Sequence, residues 1–158
     1  MRRHLRGSDM SKLTLGDRIG KTATLRPSAA AIIFGDSRRK VLLTQRADNG
    51  LWCLPGGRMD AGETAEETCV RELLEETGLE IRVTRLVGIY TSPHIVVEYP
   101  DGNRIQPVVF SFEAEVQGGI LGLSDETTDY GYFTMSEFAS IDLMETNEER
   151  IRDAMENR

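Results

Sequence analysis

The spacing of apolar and polar positions divides this chain into short elements separated by frequent turn signals. Residues 28–34 (SAAAIIF) form a compact apolar run closed by the turn-prone Gly35-Asp36-Ser37. Residues 40–46 (KVLLTQR) follow as a second strand, and the short gap between the two runs predicts a hairpin. Asp48-Asn49-Gly50 marks a turn, and the apolar segment 51–54 is stopped by Pro55-Gly56-Gly57. Further on, residues 80–91 and 105–116 alternate or run apolar like strands, with residues 99–103 as a loop between them. Residues 129–134 read as one more short strand. Upstream, residues 10–25 mix polar and apolar positions around Gly16 and Gly20, as a short helix or an irregular lead-in.

Two segments carry helical spacing. In the first, Thr64 is placed to cap, with Glu67 three residues later to complete a capping box. Ala65, Cys69, Val70, Leu73, Leu74 and Thr77 then recur as one inward stripe, and Gly78 is suited to end the helix in a left-handed conformation. The second, residues 145–157, directs Ile151 and Met155 inward. Strands and helices interleave without repeats or low-complexity tracts, so the fold class is mixed α/β. Residues 1–25 read as a lead-in and residues 26–158 as one domain. The basic start, Met1 to Arg6, lacks the apolar stretch of a secretory signal. The first nine residues could be an expression remnant with Met10 as the natural start, and the sequence leaves both readings open.

Composition narrows the class. A chain of 158 residues, 39% hydrophobic and 28% charged, suits one soluble domain with a real core. No apolar run is long enough to cross a bilayer, so no membrane partner is expected. Cys53 and Cys69 lack metal-ligand spacing and read as reduced core thiols, consistent with a cytoplasmic protein. His4 and His94 form no pair that suggests a metal site or a catalytic base. The net charge of −7 argues against gripping a nucleic acid polymer but not against a small phosphorylated ligand. That charge is concentrated. From Gly57 to Leu79 there are seven acids (Asp60, Glu63, Glu66, Glu67, Glu72, Glu75, Glu76) and two bases (Arg58, Arg71), a local charge of −5.

Within that segment Glu72, Glu75 and Glu76 fall in an arc of roughly 100° on one helix face, since successive residues rotate by about 100°. Three carboxylates so close repel one another. Their hard oxygens suit Mg²⁺ or Mn²⁺, although spacing alone favours a solvated acidic face.

The whole segment, GRMDAGETAEETCVRELLEETGL, resembles the Nudix box at all nine of its defined positions: Gly57, Glu63, Arg71, Glu72, Leu73, Glu75, Glu76, Gly78 and Leu79. The resemblance implies an α/β/α sandwich with a mixed central sheet, and hydrolysis of a diphosphate linkage using Mg²⁺ or Mn²⁺. By that resemblance Glu72, Glu75 and Glu76 are metal ligands, completed by the Gly56 carbonyl, and Glu75 or Glu76 is also a candidate base. Arg71 orients the glutamates. Glu63 holds that arginine or a water, and Gly57, Gly62 and Gly78 shape the loop and the helix end.

Outside the box, Glu126 is the expected extra ligand or base by likeness to other members. Arg46 is a candidate for substrate phosphate, and Trp52 either stacks on a base or packs beneath the loop. Pro93, fourteen residues past Leu79, hints at the spacing seen in members that act on ADP-ribose. The favoured ligand is therefore a nucleoside diphosphate derivative of the ADP-ribose or nucleotide-sugar type. A (d)NTP, oxidised ones included, is the alternative, and a non-catalytic nucleotide-sensing module is the alternative of another class. Many similar proteins are homodimers, which leaves that state open for this one.

Overall fold

A computed structural model describes residues 11–156. The elements run β1 (Lys12–Leu15), β2 (Thr24–Ile32), β3 (Lys40–Arg46), β4 (Trp52–Cys53), β5 (Gly56–Arg58), α1 (Ala65–Thr77), β6 (Leu79–Thr91), β7 (Ile95–Glu98), β8 (Arg104–Gly119), β9 (Thr127–Thr134) and α2 (Asn147–Met155). Short 3-10 turns at Ile19–Thr22 and Met135–Ser140 join them. His4 and the end of the predicted second helix lie outside the described residues. No helix among those residues is long and apolar enough to cross a membrane.

The main sheet orders its strands β1-β7-β8-β2-β5, with β6 also lying along β8. Strands β2 and β8 are parallel, Thr24–Ile32 against Ile105–Glu113, while the other pairs are antiparallel, so the sheet is mixed. A second, three-stranded sheet runs β4-β3-β9. The apolar run in β2 is continuous because both its faces are buried. Ala29, Ala31 and Ile33 pack with Cys69 and Leu73 of α1, while Ala30 and Ile32 pack with Ile151 and Ala154 of α2. The two helices thus cover opposite faces, giving an α/β/α sandwich.

Several expectations are corrected. The predicted hairpin between residues 28–34 and 40–46 exists only at its turn, where Gly35 N donates to Lys40 O at 2.9 Å and Leu42 N to Ile33 O at 3.0 Å. Beyond the turn, β2 has β8 on one edge and β5 on the other, so β3 pairs with β4 and β9 instead. The lead-in contains a strand, β1, because β7 offers it an edge. The loop at residues 99–103 is present as expected, but it joins β8 to a further strand, β7, that the pattern does not predict.

On α1, Val70 (39% exposed) and Leu74 (49%) flank the buried face rather than join it. Thr77 is buried as expected, its hydroxyl donating to Leu73 O at 2.6 Å, and Thr68 also takes an inward place, its hydroxyl donating to Glu63 Oε2 at 2.6 Å. On α2, Ile151 is buried as expected, but Met155 is 37% exposed and Arg150 and Ala154 turn inward instead.

Candidate active site

Helix α1 starts and stops where its sequence dictates. The Thr64 hydroxyl accepts from Glu67 N at 3.1 Å and donates to the Glu67 carboxylate at 3.1 Å, a variant of the expected box. Gly78 ends the helix at φ 77°, its N–H donating to Leu74 O at 2.9 Å. Between these ends the helix carries Arg71, Glu72, Glu75 and Glu76 toward β5 and β3.

Arg71 is the hub. Its Nε donates to Glu63 Oε1, its Nη2 to Glu63 Oε2 at 3.0 Å and to Arg58 O at 3.1 Å. Its Nη1 reaches Glu72 Oε1 at 2.9 Å and Glu75 Oε2 at 3.2 Å, and Asp60 lies 3.4 Å away. One guanidinium therefore ties the loop after β5 to two carboxylates of the helix. Hydrogen bonds from Arg71 and then Thr68 pull the Glu63 carboxyl down to about 2. Bonding to Glu63, and then to Glu72, raises the pKa of Arg71 still further, so both partners stay ionised.

Glu76 has a different environment. It is only 7% exposed, accepting from the Thr44 hydroxyl at 2.8 Å and from Gly56 N at 3.1 Å. Burial pushes its carboxyl up to about 7, against the pull of those two hydrogen bonds. Burial also raises Glu72, opposed by Arg71, with Glu75 and Glu126 adding repulsion. Glu75 is the outermost of the three.

The glycines make this approach possible. A Cβ on Gly56 would lie against Ala29 O and 2.6 Å from Ala30 Cα, and one on Gly57 would enter the Glu72 carboxylate, 2.8 Å from Oε1. Gly62 turns the loop at φ 93°.

The residues predicted outside the box divide. Glu126 is exposed on the loop before β9, its carbonyl accepting from Ala47 N at 2.9 Å, and its charge reaches Glu72 and Glu76. Arg46 is held by Asp48 through bonds of 2.8 and 2.6 Å. Trp52 lies edge-on to Phe133 at 4.8 Å in the core beside α2, so packing accounts for it. Pro93 accepts from Gly20 N at 2.9 Å, and His94 Nδ1 accepts from Arg18 N at 2.9 Å. Past Pro93, Tyr99 lies under the Arg26 guanidinium, 5.4 Å from ring centre to Cζ. Cys53 and Cys69 are buried thiols, pushed up to about 11 and about 12 by burial. A groove of about 630 Å³ opens at the far end of β2, lined by Phe34, Arg38, Glu113, Val116 and Tyr132 among others, and none of the predicted site residues lines it.

Sequence reasoning missed Thr44, Thr68 and Asp48, which hold Glu76, Glu63 and Arg46. The available signal was a threonine at an inward position of an otherwise apolar strand and another on the buried face of an acidic helix.

Among the described residues no three acid, histidine or cysteine side chains converge closely enough to enclose an ion. The donor set nevertheless fits a divalent cation. Half-buried Glu72 and buried Glu76 are both raised by desolvation and by the charge of Glu126, an unfavourable field that a hard cation reverses. The absent side chain at Gly57 leaves the Glu72 carboxylate room against the loop backbone.

Residues 24–155 match the family model of the NUDIX domain. The chain belongs to that family. It is 37% identical over 115 residues to an ADP-ribose pyrophosphatase of Methanocaldococcus jannaschii, covering 71% of this chain and 64% of that protein. It is 47% identical over 64 residues to a Bacillus subtilis protein provisionally named an 8-oxo-dGTP diphosphatase, covering 40% of this chain and 43% of that protein. The matched stretch thus spans less than two thirds of either relative. A solved NUDIX hydrolase of Nitrosomonas europaea superimposes with a TM-score of 0.69 at 23% identity, covering 85% of this chain and 90% of that one, and shares the fold.

Proposed function

We propose that this protein hydrolyses the diphosphate linkage of a nucleoside diphosphate derivative of the ADP-ribose or nucleotide-sugar type, with Mg²⁺ or Mn²⁺. The observation that carries the reading is the set of Glu72, Glu75 and Glu76 on one helix, two of them desolvated and packed against the Gly56-Gly57 backbone. Glu72, Glu76 and the Gly56 carbonyl are the ligands in this reading. Bound Mg²⁺ or Mn²⁺ supplies positive charge for the diphosphate and makes water a nucleophile at neutral pH. Glu75, outermost and tethered among the described residues by Arg71, is the carboxylate with room to take the proton of the attacking water. Water oxygen joins one phosphorus, its proton goes to Glu75, and the bond from that phosphorus to the bridging oxygen breaks, so that oxygen keeps the bonding pair and leaves on the other phosphate. Arg71 holds Glu72 and Glu75 in register, and Glu126, whose charge reaches Glu72 and Glu76, is the candidate further ligand or base.

The longer match, to the ADP-ribose pyrophosphatase, favours that substrate type. A second reading, a (d)NTP pyrophosphohydrolase, draws on the 47% identity to the Bacillus subtilis protein. A sensing module without catalysis should lack a box glutamate, and all are present.

The test is nucleotide or phosphate release from ADP-ribose, UDP-glucose, diadenosine polyphosphates, and normal or oxidised dNTPs, with Mg²⁺, Mn²⁺ or EDTA. Metal-dependent cleavage of ADP-ribose or UDP-glucose is expected. Cleavage of dNTPs alone would shift the assignment to the second reading, and cleavage of none would favour the sensing module.

A further inference from the structure

The loop that carries Gly56 is anchored at three consecutive residues, and one anchor comes from far along the chain. Gly56 N–H is bonded to Glu76, and the Pro55 carbonyl accepts from Ala31 N at 2.9 Å. Leu54 N–H donates to the Asn147 side-chain oxygen at 2.9 Å, across 93 residues of sequence. Asn147 is 1% exposed, and its amide orientation is fixed because its Nδ2 donates to Met144 O at 3.2 Å and Glu145 O at 3.4 Å. The stretch leading to it runs alongside β4, with Trp52 N to Asp142 O at 2.7 Å and Met144 N to Trp52 O at 2.8 Å. It then turns sharply through Thr146, a β-branched residue held at φ 74°, a conformation that costs free energy.

One turn further on, Arg150 grips the same row of the sheet. Its Nη1 donates to Ser111 Oγ at 3.1 Å, and Ser111, Ala30 and Gly56 are direct neighbours across β8, β2 and β5. Arg150 is 6% exposed, and among the described residues its Nε has no hydrogen-bond partner and it forms no ion pair. A buried charge held this way costs stability. Neither the strained Thr146 nor the buried Arg150 is explained by packing alone.

We infer that the segment from Asp142 to Arg150 is a strut that sets the position of the Gly56 backbone, with Asn147 and Arg150 as positioning residues for the cation-binding loop. The inference rests on the reading that Gly56 and Glu76 hold the cation. Neither residue touches substrate in this scheme. Both act through the loop.

The experiment titrates Mn²⁺ into the full chain by electron paramagnetic resonance, with kcat and KM measured in parallel. Asn147→Ala, which removes the acceptor for Leu54 N–H, is expected to weaken Mn²⁺ binding about tenfold and to lower kcat while KM for the nucleotide stays put. Asn147→Asp keeps the acceptor oxygen and restores affinity. Arg150→Met replaces the buried charge with an apolar chain of similar reach, so it folds even if Asn147→Ala does not, and it weakens Mn²⁺ in the same direction. Ile151→Ala lowers stability from the same helix without removing a hydrogen bond to the loop, and leaves the affinity unchanged. Wild-type Mn²⁺ affinity in folded Asn147→Ala or in Arg150→Met overturns the strut, as does an equal loss in Ile151→Ala. A wild-type protein that binds no Mn²⁺ overturns the metal reading itself, and the strut's role with it.

Discussion

The Thr44 hydroxyl donates to Glu76 Oε1 at 2.8 Å from a strand position that is 1% exposed, joining the second sheet to the acidic helix through one hydrogen bond. That bond favours the ionised carboxylate against the burial that opposes it. Thr44→Val keeps the shape and removes the donor. Hydrogen bonds to charged groups contribute about 1.5–3 kcal/mol, and one pKa unit corresponds to about 1.4 kcal/mol. The acidic limb of the kcat/KM profile should therefore move to higher pH by about one to two units, as read from initial rates between pH 5 and 9. An unmoved limb would mean that Glu76 does not govern it.

Glu76 also links stability to pH. Its carboxyl is at about 7 in the folded chain against 4.5 as its ordinary value, because of burial first. Below the lower value it is protonated whether folded or not, and no penalty arises. Between the two, only the folded form keeps the proton, so stability falls as pH rises, and the full penalty holds above pH 7. The size is on the order of 3 kcal/mol. In EDTA the wild type should melt at a lower temperature at pH 8 than at pH 5, and Glu76→Gln should flatten that difference. Added Mn²⁺ should raise the melting temperature at pH 8 for the wild type and not for the variant.

In the proposed function Glu75 separates proton transfer from cation binding. Its outward carboxylate bonds only to Arg71 among the described contacts, whereas Glu72 and Glu76 are desolvated. Glu75→Gln should lower kcat by roughly 10²–10⁴-fold, the usual contribution of a positioned base, with a modest change in Mn²⁺ affinity. Glu72→Gln should instead weaken Mn²⁺ first. Steady-state kinetics over a Mn²⁺ series distinguishes the two, and identical profiles would contradict the division of roles.

Arg71 bonds to Glu63, Glu72 and Glu75 and to the Arg58 carbonyl through a planar fork. Lysine has the charge but not the fork. Arg71→Lys should fold yet lose at least about tenfold in kcat if Glu72 is a metal ligand, because residues hydrogen-bonded to metal ligands typically contribute about 10–100-fold. Arg71 retained as Lys with full activity would show that charge alone suffices.

How far the sequence was readable depends on the range of the interaction that decides each feature. The limits of α1 follow from Thr64 and Gly78, whose effects are local, and the acid spacing within it needs only the helical repeat. The β2–β3 pairing was misread because a turn signal says nothing about which edges are already taken, and β8 and β5 claim both edges of β2 from far along the chain. Val70 and Leu74 are apolar at helical spacing, yet the sheet meets α1 along Cys69 and Leu73, with two threonines filling the inward flank. Asn147 carries no motif at all. Its importance exists only where α2 meets Leu54.

Gly57 offers a geometric check on the cluster. In place of a side chain it presents bare backbone to the Glu72 carboxylate, and an added Cβ would lie 2.8 Å from Oε1 and closer still to the other two carboxyl atoms. Nothing about its φ requires glycine, since it is not among the positive-φ residues, so the constraint is space and not backbone strain. Gly57→Ala should therefore fold with β5 still paired to β2, but displace Glu72 and break its 2.9 Å bond to Arg71. The expected readout is Mn²⁺ affinity weakened at least about tenfold, on the scale set for disturbed ligand shells. The melting temperature in EDTA should stay close to that of the wild type, because the shifted carboxylate gains water as it loses the arginine. A variant that binds Mn²⁺ normally would show that Glu72 has room to move without cost and is not a ligand held in place by this loop.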